Sequence, residues 1–455
     1  MQQSTRRKFI KKLSLASGSI IAPVIIPASA LGKNGFVAPS DRINLALIGA
    51  GNQAENDVKG FLRDPRVMVT AICDVNREST GYWNGKIGGR EYIRKLVNDT
   101  YSEKMDKKYS ACEGFTDFRE IIEKGDIDAV EVVTPDHWHA IPVMMAAKAG
   151  KDVYCQKPLA LTVQEGRDIS NTVKKSGIIF QTGSQQRSNH HFRHVCELVR
   201  NGRIGSLLTV TCGLPGGTPD FGKTGDQTQT IPVPKDFDYD LWLGPAPDAP
   251  YCPARTHVNF RWILDYSGGM VTDWGGHHPD IAQWGMDTEY TGPLKVINAK
   301  AKWAQHPVWN TATEFYFECI YANGVKLIIS DKAEQGVTFT GTEGSLWANR
   351  GGSRSDPENL INSQLSDEEE RLYLSDDHYK NFIDCVISRQ QCIAPAEVAH
   401  RSITLAHLGN IAMKLESDLE WDPDTEKITN NAEAQSMLQR PMRAPWDKVY
   451  EQLTK

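Results

Sequence analysis

The stretch INLALIGAGNQAENDVKGFL constrains this chain most. A mainly apolar run ends at Gly49, and a helical pattern covers roughly 53–63. Between them stands Gly49-Ala50-Gly51-Asn52-Gln53-Ala54, a G-x-G-x-x-A turn. The first glycine permits the tight turn and the second lets the backbone approach a pyrophosphate. The small third residue lets helix and strand pack closely, and the helix N-terminus meets the negative charge. The next strand, VMVTAICD, ends at Asp74, twenty residues past Ala54. A carboxylate there accepts hydrogen bonds from a ribose 2′-hydroxyl and repels a 2′-phosphate, which predicts NAD over NADP, although Arg77 lies close by. Gly49, Gly51, Asn52, Gln53, Ala54 and Asp74 are therefore cofactor-binding candidates.

Strands and helices alternate beyond this turn. FTDFREIIEKG reads as a helix, AVEVVTP as a strand, HAIPVMMAAKAGK as a helix stopped by Gly150, and DVYCQKP as another strand. Such alternation implies right-handed crossovers and a parallel sheet covered on both faces. Residues 79–110 are polar and mostly helix-like, an insertion. The pattern changes after residue 185. Residues 214–256 form a long Gly-, Pro- and Asp-rich loop carrying Tyr239, Trp242 and Tyr251. LKVINAKAKW, TEFYFECIY and VKLIISD follow as strands joined by short turns such as Ala322-Asn323-Gly324, which implies an antiparallel sheet. The predicted fold class is α/β. A linker over 31–42 precedes a Rossmann dinucleotide-binding domain over 43–160, an α/β domain with a large open sheet over 161–418, and an irregular tail over 419–455.

Residues 1–30 read as an export signal. Arg6, Arg7, Lys8, Lys11 and Lys12 precede an apolar run from Leu13 to Pro27 and the small-x-small Ala28-Ser29-Ala30. The paired arginines followed by Lys8 and Phe9 resemble a twin-arginine signal, which carries folded proteins out of the cytoplasm. The expected location is periplasmic, and the export machinery is an expected partner. Removing these five basic residues leaves 46 basic against 57 acidic, a net charge of −11. That balance argues against nucleic acid or an anionic membrane as the main partner. Nine scattered cysteines form no C-x-x-C and are odd in number, as in a chain that folds in a reducing compartment. No stretch of the remaining chain is long and apolar enough for a membrane span.

Two further stretches, VVTPDHWHAIPVMMAAKAGKDVYCQKP and GGMVTDWGGHHPDIAQW, join the glycine turn in a pattern that resembles the Gfo/Idh/MocA oxidoreductases. The late stretches HYKNFIDCVISRQ, EVAHRSITLAHLGNIA, EWDPDTE and RPMRAPW resemble an exported bacterial branch of that family. The resemblance implies a Rossmann domain followed by an α/β domain with an open, mostly antiparallel sheet, often joined into homodimers or homotetramers. It places Thr134, Pro135 and His139 at the nicotinamide-side turn. The family's Glu-Lys-Pro corresponds to Gln156-Lys157-Pro158, so the lysine is kept and the glutamate is replaced. The family's Asp-x-x-x-His corresponds to Asp273 and His277.

Oxidising a secondary alcohol sends a hydride to the cofactor and a proton to the protein. The expected catalytic residues are Lys157, His277 and Asp273, with His277 as the candidate base because a free imidazole titrates near neutrality. On one helix, Asp273 would share a face with His277 and orient the imidazole. Lys157 would donate to the substrate oxygen, and the absent glutamate would lower its proton affinity. Arg187, Trp262 and His278 are substrate-binding candidates, with Arg261, Trp242 and Tyr251 as further contacts. His190 and His194 have i, i+4 spacing, but no third ligand accompanies them, so no metal is expected.

The expected activity is NAD-dependent oxidation of a sugar, polyol or glycoside hydroxyl. An exported protein has no external nicotinamide pool, so the dinucleotide would be loaded before export, held tightly and returned to its starting state each cycle. Glycoside cleavage through transient oxidation, elimination and re-reduction is the second reading. A sugar-binding module with a vestigial socket is the non-enzymatic one.

Overall fold

In the computed structural model, which describes Ala38 and residues 41–455, the glycine turn joins β1 (Ile43–Ile48) to α1 (Asn52–Leu62). The expected signal over 1–30 lies outside the described residues. There follow β2 (Val67–Cys73), α2 (Arg90–Met105), β3 (Glu113–Phe115), α3 (Phe118–Glu123) and β4 (Ala129–Val132). Then come α4 (Ala140–Lys148), β5 (Asp152–Cys155), α5 (Val163–Ser176) and β6 (Phe180–Thr182). These strands pair in the order β3-β2-β1-β4-β5-β6, and every pair is parallel. Every residue of β4 and β5 is buried, as a sheet covered on both faces requires.

The strand order reverses between β1 and β4. In an open parallel sheet, the crevice beyond the carboxyl ends at such a reversal is where ligands bind. Gly49 follows β1 there, and Val133-Thr134-Pro135 follows β4.

The parallel sheet runs to Thr182, past the boundary expected at residue 160. Strand β6 has three residues, and its central Gln181 is a polar residue whose amide donates to the carbonyl of His378.

The second half contains α6 (His190–Arg200), β7 (Leu207–Gly213), α7 (Tyr239–Leu243), α8 (Gly269–Gly275) and α9 (His278–Met286). Six strands follow: β8 (Lys295–Trp303), β9 (Ala312–Ile320), β10 (Lys326–Ser330), β11 (Gly336–Gly341), β12 (Ser345–Asn349) and β13 (Gly352–Asp356). Next are α10 (His378–Ser388), α11 (Ala396–Leu415), β14 (Leu419–Asp422), β15 (Lys427–Ile428), α12 (Ala432–Ser436) and α13 (Trp446–Thr454). The nine-stranded sheet runs β13-β12-β11-β7-β10-β9-β8-β14-β15. Its pairs are antiparallel except β7 with β10. Helix α9 lies against β7 and β11, and α11 against β8.

The tail over 419–455 is ordered secondary structure, which corrects the expectation of an irregular segment. Strands β14 and β15 complete one edge of the sheet, and α13 packs on α4 of the Rossmann domain. Trp446 is buried with its ring 4.7 Å from Trp138 and 6.2 Å from Phe118. The segment EWDPDTE looks like a loop because its Pro and Asp content masks the end of β14, while RPMRAPW is irregular up to Trp446, where α13 begins.

Trp446→Ala should lower unfolding free energy by about 3 kcal/mol, the usual cost of deleting a buried aromatic ring. Chemical denaturation checks it. A loss below about 0.5 kcal/mol would match an exposed position instead.

Candidate active site

The glycine turn is shaped by a close approach. Gly49 has φ +107°, and a Cβ there would lie 2.6 Å from the carbonyl oxygen of Val133. A side chain at this position would push β1 and β4 apart. Gly51 is the N-cap of α1, and among the described residues no side chain caps that helix. The first N–H groups of α1 are thus open to an anionic ligand. A cleft with about 1090 Å³ of open space joins this turn to Thr134, Pro135, Asp136 and Lys157. Gly49, Gly51, Asn52, Gln53 and Asp74 also line it.

Asp74 braces the turn as well as facing the cleft. Its carboxylate accepts from the N–H of Ala50 at 2.6 Å and of Asn76 at 2.8 Å. Burial raises its pKa to about 6 against the pull of those two N–H groups. A carboxylate has about four acceptor sites, so places remain for ribose hydroxyls. Arg77 lies 3.8 Å from Asp236 in an exposed pair.

The expected insertion contains α2, preceded by a strap over residues 76–89 that crosses the turn. Gly89 N–H donates to the Ala50 carbonyl at 3.0 Å, and Trp83 N–H to Asn52 Oδ1 at 2.6 Å. The Tyr82 ring lies against Gly51, and its hydroxyl accepts from Asn76 Nδ2 at 2.9 Å. The second domain holds the strap from its other side. Trp83 stacks on Phe221 at 4.0 Å, and Tyr82 stacks on His257 at 4.5 Å. Asn84 N–H donates to the Phe221 carbonyl at 2.7 Å, and Arg77 N–H to the Asp236 carbonyl at 2.9 Å. His257 has φ 53°, an uncommon conformation for a side-chain-bearing residue, and burial lowers its pKa to about 4.

Lys157 projects from the turn after β5. Its Nζ donates to both the carbonyl and Oδ1 of Asp273, each at 2.9 Å. Arg261 Nε lies 3.4 Å from the same Oδ1. Burial alone would raise the Asp273 carboxyl, but Lys157 and Arg261 outweigh it and hold the pKa at about 2. The structure therefore corrects the expected partnership. Asp273 serves Lys157 and Arg261 and does not orient His277. Gly275-Gly276 ends α8, and His277 caps the separate helix α9 with φ −121° and ψ −84°, so the two share no helix face. His277 is buried with Nδ1 unpartnered among the described residues, and burial drives its pKa well below the usual value, with Lys157 adding to the effect.

Gln156 explains the missing glutamate. Its Nε2 donates to Asp57 Oδ2 at 2.7 Å, while Gln53 and Tyr379 donate to Asp57 Oδ1 at 2.7 and 2.6 Å. Asp57 and Glu131 are fully buried. Burial raises both carboxyls, and Asp57 pushes Glu131 further. A donor is needed at 156, where a glutamate would add a third carboxyl. The expectation that its loss leaves the Lys157 ammonium unsupported is also corrected, since Asp273 supplies the carboxylate.

Several other candidates fall outside the cleft wall. Arg187 is 2% exposed and paired with Asp280 at 2.7 Å and Glu289 at 2.6 Å, so it anchors the core and not a substrate. Trp262 is fully buried, with its indole N–H donating to the Pro219 carbonyl at 3.0 Å. His278 bonds the Gly213 carbonyl at 3.0 Å through Nδ1. His139 sits behind the wall, with Nδ1 2.7 Å from the Pro158 carbonyl and Nε2 3.0 Å from that of Thr134. It positions both turns without lining the cleft. Ala54 is buried where α1 meets the sheet. His194 Nε2 lies 2.8 Å from the Ile361 carbonyl. Among the described residues, no group of three or more His, Cys, Asp or Glu side chains could hold a metal ion. Trp242 and Arg261 do line the cleft, while Tyr251 is buried beside Tyr239 and Phe237. Sequence reasoning missed Asp136, Tyr82 and His257, all in the wall. The signal for Asp136 was present, since it directly follows Thr134-Pro135.

The profile described as "Oxidoreductase family, NAD-binding Rossmann fold" matches residues 43–184, and "Oxidoreductase family, C-terminal alpha/beta domain" matches 188–448. The chain belongs to the Gfo/Idh/MocA oxidoreductase family. It is 26% identical over 250 residues to the uncharacterized oxidoreductase YrbE of Bacillus subtilis, covering 55% of each chain. It is 25% identical over 224 residues to an alpha-N-acetylgalactosaminidase of Shewanella oneidensis, covering 46% of this chain and 45% of that one. The matches thus span about half the length of these relatives. Two solved structures share the family fold. Aldose-aldose oxidoreductase from Caulobacter crescentus, complexed with glycerol, has TM-score 0.57 and 18% identity, covering 83% of this chain and 99% of its own. WlbA dehydrogenase from Bordetella pertussis, in complex with NADH and UDP-GlcNAcA, has TM-score 0.56 and 16% identity, covering 84% and 99%.

Gln156→Glu should destabilise the fold by about 1–3 kcal/mol, because Asp57 loses a donor and gains a buried carboxyl neighbour. The new carboxyl would have a folded pKa above its unfolded value. Its stability contribution is present below the unfolded pKa and lost as pH rises through the folded one. The deficit should therefore be larger at pH 8 than at pH 5. Equal deficits in thermal melts at both pH values would contradict this account.

Proposed function

We propose that this protein oxidises a secondary hydroxyl of a sugar, polyol or glycoside, using an NAD that stays bound. The observation that carries the reading is the single cleft joining the open N-terminus of α1 to Lys157. Gly49 and Gly51 would admit the pyrophosphate, and Asp74 would accept from ribose hydroxyls. The carboxylate of Asp74, with Arg77 turned to Asp236, supports NAD over NADP. Thr134 and Pro135 would bound the nicotinamide half. When bound, the dinucleotide supplies a hydride acceptor. Lys157, held in place by Asp273, would hydrogen-bond the substrate oxygen and stabilise developing negative charge. His277 is buried behind Lys157 and does not line the cleft, although among the described residues its Nδ1 has no partner.

The strap supports the retained state of the cofactor. Opening over Gly51 and Asn52 requires two aromatic stacks to separate across the domains. A chain exported in the folded state through its twin-arginine-type start would carry the dinucleotide with it to the periplasm. We further propose a homodimer or homotetramer assembled on the large sheet. A bound cofactor must be regenerated within each cycle, so the second reading is redox-neutral glycoside cleavage. Similarity to the Shewanella glycosidase favours that reading.

The first test is to denature protein purified without added nucleotide and identify what is released. Near-stoichiometric NAD or NADH is expected, and an empty socket with weak NAD binding would oppose retention. Trp83→Ala, which removes the stack on Phe221, should raise the NAD dissociation rate about tenfold or more while leaving the melting temperature nearly unchanged. Stopped-flow displacement of bound nucleotide reads that rate, and an unchanged rate would oppose the strap's role.

A further inference from the structure

We infer that Asp136 is the group that takes the substrate's hydroxyl proton, from its place in the cleft wall between the Thr134-Pro135 turn and the Lys157–Asp273–Arg261 cluster. The inference rests on the dinucleotide reading above. Asp136 opens the short turn that follows β4, and its side chain is buried. Its Oδ2 accepts from Ser267 Oγ at 2.5 Å, which fixes the carboxyl plane. Among the described residues no donor is seated on Oδ1. One oxygen is thus anchored and the other is free for a ligand.

The charged neighbours single Asp136 out. Lys157, Arg261 and Asp273 face it from three other segments of chain. Asp273 is held ionised by the two cations, so it takes up no proton near neutral pH. On the same turn, His137 and His139 are driven by burial to about 3 and about 4, and both bond backbone carbonyls. For Asp136, burial outweighs the Ser267 hydrogen bond and the pull of Arg261, and its pKa rises to about 7. A carboxyl poised there both accepts a proton and returns it to water at neutral pH. Lys157 spends two of its donor directions on Asp273 and suits the role of donor to the substrate oxygen.

The balance is simple. The bound dinucleotide would supply the acceptor for the C–H electron pair as hydride. The O–H electron pair closes the C=O bond, and the proton passes to Asp136 Oδ1, giving a neutral carboxylic acid. In the reverse direction the acid returns the proton to the alkoxide oxygen as hydride comes back, so a redox-neutral cycle uses the same group twice.

A nearby cationic ring favours the ionised carboxylate, whereas a neutral dihydronicotinamide does not. Binding of NAD⁺ should therefore release a fraction of a proton at pH 7, and binding of NADH should release less. Calorimetric titration of the nucleotide-free full chain, in two buffers of different ionisation heat, measures both. Asp136→Asn should bind either nucleotide within about threefold of the wild type and lose the difference. The second arm follows reduction of bound NAD⁺ by myo-inositol, levoglucosan and p-nitrophenyl glycosides across pH 5–9. With any probe that reduces it, Asp136→Asn should be at least about 100-fold slower and lack the limb near pH 7. The difference in melting temperature between Asn variant and wild type should also grow in the variant's favour from pH 4 to 8, because the raised folded pKa makes ionisation costly to the fold.

Equal proton release with both nucleotides, or a difference that persists in Asp136→Asn, overturns the inference while leaving the dinucleotide reading intact. A limb that persists in Asp136→Asn but disappears in His277→Ala overturns it in favour of the histidine. Failure of the wild type to bind either nucleotide overturns both readings.

Discussion

The contact between Lys157 and Asp273 defines the cleft. Lys157 stands at the end of β5 in the Rossmann domain, and Asp273 lies in α8 of the second domain. Both side chains are mostly buried, so their ion pair carries a desolvation cost that offsets much of its attraction. Its consequence is geometric. Two hydrogen bonds to one residue, one to a carbonyl and one to a carboxylate, fix where the ammonium can point. Arg261 joins the same oxygen and brings its segment to the cleft wall. The second domain is thereby held against the crevice that the strand order opens between β1 and β4.

Around this pair, one residue type takes three different roles. Asp273 sits between two cations and stays ionised despite burial. Asp74 accepts two backbone N–H groups and lies higher, at about 6. Asp136 has one hydroxyl donor with more distant cations and lies near 7. Burial pushes each of them up, and the number and charge of the donors decides how far each is pulled back. Tyr82 of the strap and His257 of the second domain stack on each other and form part of the same wall. The cost of enclosing these carboxyls therefore appears as proton affinity.

Where structure followed local pattern, the sequence was legible. The glycine turn, the apolar strands beside it and Asp74 announced the Rossmann half, since each depends on residues within a few positions of one another. The antiparallel strands of the second half were visible through alternation and short turns. The tail was not, because Trp446 owes its structure to partners far away in sequence. Lys157 and Asp273 were found through a motif, but their relation to each other was not. The expectation of one helix face through Asp273 and His277 failed at Gly275-Gly276, where α8 stops.

The sequence by itself determined the nucleotide turn, the order of the two sheets and the family, because these rest on backbone geometry and periodicity. Only the tertiary structure decided which charges meet. It turned Arg187 from a substrate contact into a buried partner of Asp280 and Glu289, and it set Gln156 against Asp57 instead of beside the Lys157 ammonium. It also made Asp136 a wall residue. The reason is physical. A side chain's charge state depends on desolvation and on groups within a few ångströms. In this fold those groups arrive from segments about a hundred residues apart, as Lys157 and Asp273 do.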